Sequence, residues 1–360
     1  MARVGLPALL KAMVDQDASD LHITVGVPPE MRIQGKMTKV KTDVLTHQDT
    51  KEICYSVLTD AQKRDFEQNL EVDFSFGIKD VARFRGNLFY QRGGVAGVFR
   101  RIPLEIPDFN ALGLPQVLKK IIRRPNGLIL VTGPTGSGKS TSLAGLLDIL
   151  NREEYGHLVT VEDPIEFVHP HKNCIVNQRE VGQDTKSFGS ALKRLLRQDP
   201  DFILVGELRD AETIESALTL AETGHLVFGT LHTNNAVQSI NRIVNVFPPH
   251  QQPQIRQVLS FTLQAVMCQL LLPKSYQPGR CLVYELLIPN MAIRNLIRED
   301  KLHQVYSSMQ AGQEESGMQT MNQSILAQVK AGVLSKQDAL DASTMPEEIA
   351  KALGQIQDKR

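Results

Sequence analysis

The stretch Gly133-Pro134-Thr135-Gly136-Ser137-Gly138-Lys139-Ser140 constrains this chain more than any other. Its spacing is G-x-x-x-x-G-K-[ST], the phosphate-binding P-loop pattern. Ahead of it, residues 127–132 form a continuous apolar run of strand length. Behind it, Leu143, Leu146, Leu147 and Leu150 recur at i, i+3, i+4, i+7, one face of a helix. Strand, glycine loop and helix in that order is the context a P-loop requires.

The residue types follow from the chemistry of holding phosphate. Gly133, Gly136 and Gly138 let the backbone curl so that N–H groups face inward, and the following helix adds the positive end of its dipole. Pro134, Thr135, Ser137 and Thr141 complete the candidate nucleotide-binding set. Lys139 is expected to reach the β- and γ-phosphates of ATP, and the Ser140 hydroxyl to ligate Mg²⁺. A glycine turn that binds nothing would leave Lys139 at a helix start, where a cation is disfavoured.

The 360 residues suffice for two domains. With 40 basic and 40 acidic residues the formal charge is zero, so a strongly basic nucleic-acid footprint is absent and no nucleic acid is expected as partner. Cys54, Cys174, Cys268 and Cys281 are scattered without a C-x-x-C pair, which argues against a zinc site or a disulfide framework and fits a reducing cytosol. Residues 1–14 read as a short amphipathic segment with Arg3 and Lys11 rather than a secretory signal. The apolar residues 258–272, broken by Ser260, Thr262, Gln264 and Gln269, are too short to span a membrane and read as a buried helix.

Residues 1–98 read as a separate α+β domain. A helix over about 6–14 leads to strands near 19–25 and 31–35, a helix near 49–58, and alternating strands over 73–77, 82–90 and 94–100. In 82–90, Phe84, Leu88 and Tyr90 are expected to face a core while Arg83, Arg85 and Asn87 face outward. His22 is read as a structural histidine. Residues 99–115 hold three prolines and a glycine and read as a connector. From 116 to 289, apolar runs at 128–131, 158–161, 202–205 and 226–228 alternate with helices, which predicts a mostly parallel sheet covered by helices. Residues 290–360 read as all helix.

Three further stretches carry chemistry. Residues 199–207 form an apolar strand ending at an acid, the logic of a Walker B element; Gly206 occupies the usual Asp position, so Glu207 is expected to hold Mg²⁺, directly or through water. Residues 157–166 form a strand ending in Glu162, Asp163 and Glu166, carboxylates that a cation is expected to neutralise, one of them orienting the attacking water. A capped turn at Asp163-Pro164 is the plain alternative. Residues 224–233 form a strand flanked by His225 and His232, placed by expectation at the carboxyl edge of the sheet beside the γ-phosphate or a neighbouring subunit.

With these motifs the chain resembles the PilT/GspE group of secretion ATPases. The Asp box TVEDPIE (residues 160–166), the atypical Walker B ILVGELRD (203–210) and the His box GHLVFGTLHT (224–233) accompany the P-loop. AIRNLIRE (292–299) matches the motif that marks the pilus-retraction branch, and SDLH, RFRGN and GMQTMNQS (317–324) fit the layout. The resemblance covers essentially the whole chain. It implies an N-terminal PAS-like domain, a C-terminal RecA-like P-loop ATPase domain with a helical C-terminal region, and a homohexamer with ATP at subunit junctions. It also implies a cytoplasmic motor, peripheral to the inner membrane, working on the platform protein of the type IV pilus machine.

By position, Glu166 resembles the catalytic glutamate, Glu207 the Walker B acid, and His225 and His232 the His-box histidines. Arg83, Arg85 and Arg100 sit where family arginines reach nucleotide, with a solvated strand face as the alternative for each. The departures, Ser142 after Ser140-Thr141 and Tyr284-Glu285 for a His-Glu pair, touch none of this chemistry. Absence of a tetracysteine element and of a long N-terminal extension favours retraction over extension. Readings left open are an accessory retraction, pilus-assembly or type II secretion ATPase, a RecA-like DNA translocase, and a nucleotide-gated scaffold without turnover.

Overall fold

The computed structural model describes residues 5–33, 35–79, 81–102, 105–311 and 316–354. Arg3, and Pro103 and Leu104 of the expected connector, lie outside these residues. Two compact units divide the chain, Met1–Glu105 and Ile106–Arg360.

In the first unit, helix α1 (Leu6–Asp15) precedes strands β1 (Asp20–Ile23), β2 (Glu30–Ile33) and β3 (Lys36–Lys39). Helices α2 (His47–Tyr55) and α3 (Asp60–Asn69) and strands β4 (Glu71–Ile78), β5 (Ala82–Gln91) and β6 (Gly94–Ile102) follow. The sheet runs β3-β2-β1-β6-β5-β4 and is antiparallel throughout, the α+β arrangement expected. Because side chains alternate along a strand, one face gathers Leu21, Met31, Phe84, Leu88 and Phe99 against Leu6, Leu10, Met13 and Phe66 of the helices. Capping boxes at Thr46/Asp49 and Thr59/Gln62 start α2 and α3.

Three readings change here. β6 continues to Ile102, so residues 99–102 belong to the sheet and not to the connector. Tyr90 stacks on Phe66 of α3 at 4.9 Å, on the core face as expected, but remains 38% exposed near the end of β5. β3, exposed along its whole length, and α3, with Phe66 as its buried residue, carry too little apolar signal to be read from sequence.

The second unit opens with α4 (Leu118–Ile121) and β7 (Gly127–Thr132), then α5 (Lys139–Glu153), β8 (His157–Glu162), β9 (Ile175–Glu180), α6 (Phe188–Leu195) and β10 (Phe202–Val205). It continues through α7 (Ala211–Glu222), β11 (Leu226–Leu231), α8 (Ala236–Asn245), α9 (Gln252–Thr262), β12 (Leu263–Pro273) and β13 (Arg280–Leu287). The sheet order is β13-β12-β7-β11-β10-β8-β9, parallel except for the β12–β13 pair. β7 and β11 are buried at every position, as strands covered on both faces must be.

The buried helix expected over 258–272 is instead the end of α9 followed by β12. A short apolar run fits either element by periodicity. Pairing with β7 on one side and β13 on the other decides for strand from Leu263 onward.

After residue 290 come α10 (Met291–Arg298), a short 3₁₀ turn (Leu302–Gln304), α11 (Val305–Gln310), α12 (Met321–Lys330), α13 (Lys336–Ala342) and α14 (Pro346–Gly354). These helices share the core of the second unit's sheet through Ile293, Ile297, Val305, Ile325 and Leu353. On α10, Ile293 and Ile297 are fully buried, each contributing about 1.5–3 kcal/mol, whereas Ala292 is exposed. Arg294 is half-buried. Its Nη1 donates to the carbonyls of Ser260 (2.6 Å) and Phe261 (2.9 Å) at the end of α9, where unpaired carbonyls favour a cation.

Candidate active site

The P-loop leaves the carboxyl end of β7 with Gly133, Gly136 and Gly138 at φ of 140°, 81° and 88°. At Gly133 the requirement is also steric, since a Cβ would lie 2.3 Å from the Gln269 carbonyl oxygen. α5 begins at Lys139 with no side-chain cap, so its first N–H groups are open to an anion. Lys139 lies over the loop, its Nζ donating to the carbonyls of Gly133 (2.8 Å) and Pro134 (3.1 Å). Burial lowers the Lys139 pKa, against the opposing pull of the Glu207 carboxylate. Pro134, Thr135, Gly136 and Ser140 are exposed, and Ser137 is buried.

Parallel pairing brings the ends of β10 and β11 beside this loop. Lys139 Nζ lies 3.5 Å from His232 Nδ1, His232 Nε2 lies 3.4 Å from Glu207 Oε1, and Arg209 Nη2 pairs with Glu207 Oε2 at 2.8 Å. Four groups of alternating character thus form one array along the carboxyl edge of the sheet. Burial alone would raise the Glu207 pKa, but the hydrogen bonds and charges of Arg209 and His232 outweigh it and hold the group below the usual carboxylate range. Glycine at 206 has a local cause. A Cβ there would meet the Glu162 Cα at 3.1 Å and the Val161 carbonyl at 3.2 Å, so the acid moves one residue on.

The carboxylates after β8 separate by role. Glu162 is buried and accepts from Thr160 Oγ1 (2.7 Å), Gln178 Nε2 (3.2 Å) and the backbone N–H of Glu166 (3.3 Å). Burial drives its pKa up despite those bonds. Glu180 of β9 accepts from the Ile165 N–H at 3.2 Å, and the Asp163–Pro164 bond is cis. Together Glu162 and Glu180 clamp the turn that presents Asp163 and Glu166, both exposed.

Among the described residues no three His, Cys, Asp or Glu side chains converge on one metal position; Glu162 is taken up by the frame of the turn, while Asp163 and Glu166 are exposed. Arg209, which also feels the charge of Asp163, supplies positive charge at this edge. Ser140 and Glu207 remain as one hydroxyl and one ionised carboxylate. That sparse set suits Mg²⁺, which keeps several waters and binds chiefly through phosphates.

His225 is not at the carboxyl edge. It precedes β11, whose first residue pairs with Gly127 and whose last pairs with Thr132. Six residues of strand, about 20 Å at ~3.3 Å each, separate it from the P-loop of its own chain. Its Nδ1–H donates to the Leu220 carbonyl at 3.0 Å, capping the end of α7. Both histidines flank one strand in sequence, and a strand carries its two ends to opposite edges.

Arg83, Arg85 and Arg100 all lie in the first unit. Register pairs Ser75 with Arg85, Arg85 with Arg100, Arg100 with Asp20 and Asp20 with Arg32, a charged row on the sheet face opposite the core. Arg100 Nε donates to the buried Asp20 at 2.7 Å, Arg85 lies 3.7 Å from Asp73, and Arg83 donates to Ser75 Oγ at 3.0 Å. Sequence reasoning missed Arg209 as the partner of Glu207, although it stands two positions away, and Gln178, which nothing in its strand marks out.

A P-loop on a mostly parallel sheet, with an ionised acid and a histidine at the same strand ends, defines a P-loop ATPase. The chain belongs to the family described as type II/IV secretion system protein, matched by residues 6–341. It is 49% identical over 344 residues to the type IV pilus retraction ATPase PilT of Pseudomonas aeruginosa, covering 96% of this chain and 99% of the relative. It is 48% identical over 332 residues to a twitching motility protein of Neisseria gonorrhoeae, covering 92% and 88%. The crystal structure of the pilus retraction motor PilT with bound ADP matches at a TM-score of 0.91 and 53% identity, over 97% and 99% of the two chains. No helix among the described residues is long and apolar enough to cross a membrane.

Proposed function

We propose that this chain is a motor that hydrolyses ATP to drive retraction of type IV pili, and so twitching motility. The observation that carries the reading is the Lys139–His232–Glu207–Arg209 array at the P-loop. Lys139 and the loop N–H groups neutralise phosphate charge, His232 links that charge to Glu207, and the exposed Glu166 orients the attacking water. Ser140 and Glu207 would hold Mg²⁺, which when bound offsets charge on the phosphates. Catalysis of this kind is mostly positioning and charge stabilisation.

The working unit is a homohexamer, and an arginine of the first unit, Arg83, Arg85 or Arg100, completes the site. An arginine arriving from a second domain raises phosphoryl transfer by roughly 10³–10⁵ and makes hydrolysis depend on domain geometry. The motor acts in the cytoplasm, at the inner-membrane platform protein of the pilus machine. AIRNLIRE supports retraction over assembly: α10 is anchored by Ile293, Ile297 and Arg294, and Arg298, which donates to Asn295 Oδ1 at 2.6 Å, is exposed where a partner could reach it. Deleting the gene and counting surface pili tests the reading. Excess, non-retracting pili are expected, whereas a strain without pili would assign the chain to assembly.

A further inference from the structure

Beneath the P-loop lies a side chain that no part of the proposed chemistry uses. Gln269 of β12 follows Cys268, which pairs with Thr132 at the end of β7, so Gln269 sits where the loop leaves the sheet. Its backbone pairs with Tyr284 of β13, which fixes it from the other side. It touches both ends of the loop. The Gly133 position abuts its carbonyl oxygen, and a Cβ at Gly138 would lie 3.2 Å from its Nε2. Its side chain is 1% exposed, and Nε2 donates to the Ser137 carbonyl at 2.6 Å. Its Oε1 is buried without a partner.

An unpaired buried amide oxygen costs stability, and an apolar side chain of the same shape would avoid that cost while giving up the bond to Ser137. A purely structural Gln269 is therefore a poor choice at this position. The bond it makes has a geometric consequence. In a trans peptide the C=O and N–H point in opposite directions. Holding the Ser137 carbonyl toward β12 turns the Gly138 N–H the other way, into the concavity of the loop.

We propose that Gln269 is a positioning residue for the ATPase reaction: it fixes the Ser137–Gly138 peptide so that the Gly138 N–H is aimed at phosphate before nucleotide arrives. The inference rests on the P-loop being the phosphate site. It predicts an effect on ground-state binding of ADP and ATP alike, not on the chemical step. Loss of one pre-aimed donor corresponds to about tenfold in affinity.

The test is the Gln269→Met variant of the full chain, with Gln269→Leu as a second should the first fold poorly, and Lys139→Ala as control. Dissociation constants for a fluorescent ADP, KM for ATP, kcat and the nucleotide-free melting temperature are measured. Expected are a melting temperature within a few degrees of wild type, the relieved Oε1 offsetting the lost bond to Ser137, with ADP Kd and KM raised about tenfold and kcat within about threefold. Gln269→Glu should bind worse still, since its carboxylate would face the Ser137 carbonyl. Wild-type Kd and KM in folded Gln269→Met, alongside lost binding in Lys139→Ala, would overturn the proposal. Unchanged binding in Lys139→Ala would instead overturn the assignment of the loop.

Discussion

His169 offers the sharpest quantitative handle on the turn that carries Glu166. The ring is 7% exposed, its Nδ1 has no hydrogen-bond partner, and its backbone N–H donates to Gln178 Oε1 at 2.7 Å. The same Gln178 also donates to Glu162 and to the Phe167 carbonyl, so His169 packs into the frame that holds the turn. Burial lowers its pKa to about 4, with Asp148 opposing and Lys172 reinforcing the shift. The folded state therefore prefers neutral His169. Its contribution is complete above the unfolded pKa near 6.5 and is lost as pH falls through the folded value near 4.

Between pH 7 and pH 4.5 that loss is about 2 kcal/mol from this one side chain. His169→Gln lacks the titration. Urea unfolding of the two proteins at both pH values should show wild type losing about 2 kcal/mol more than the variant on acidification, a midpoint difference approaching ~1 M for a urea slope of ~2–3 kcal/mol/M. Parallel losses in the two proteins would show that His169 is not held neutral by burial and would refute the reasoning.

Three arginines give further predictions. Arg209→Ala removes the partner that holds Glu207 low, so the Glu207 pKa rises and the acid limb of the kcat–pH profile should move to higher pH; an unmoved limb would separate Glu207 from the rate. Arg294→Ala should destabilise the chain by about 2–3 kcal/mol, read by denaturant unfolding, because the Ser260 and Phe261 carbonyls lose charge-assisted donors at the end of α9. Arg298→Ala should leave stability within ~0.5 kcal/mol of wild type, and equal losses in the two variants would dissolve the distinction.

Where a stretch carried its own period, the sequence was readable. The apolar runs of β7, β8, β10 and β11 and the leucine face of α5 depend on no distant partner, and they set the P-loop and Glu207 at one sheet edge. Elements decided by tertiary pairing were not readable. β12 looked helical because its neighbours in the sheet, not its own pattern, make it a strand, and β3 has no buried face to announce it.

The site divides in the same way. Residue types and spacing pointed to Lys139, Glu207 and His232, which the fold brings within contact of one another. His225 went astray because adjacency along a motif says nothing about which end of a strand a residue occupies. The three carboxylates after β8 looked alike in the sequence; burial and three hydrogen-bond donors bind Glu162 to the frame of the turn, while Asp163 and Glu166 stay exposed.

The central claim is that Glu207 acts in hydrolysis at a site whose nucleotide affinity comes from the P-loop. Phosphate release by purified Glu207→Gln, measured beside ADP binding, tests it most directly. The account predicts turnover lost by at least ~10²-fold with ADP affinity within a few-fold of wild type. Turnover close to wild type in that variant would contradict it.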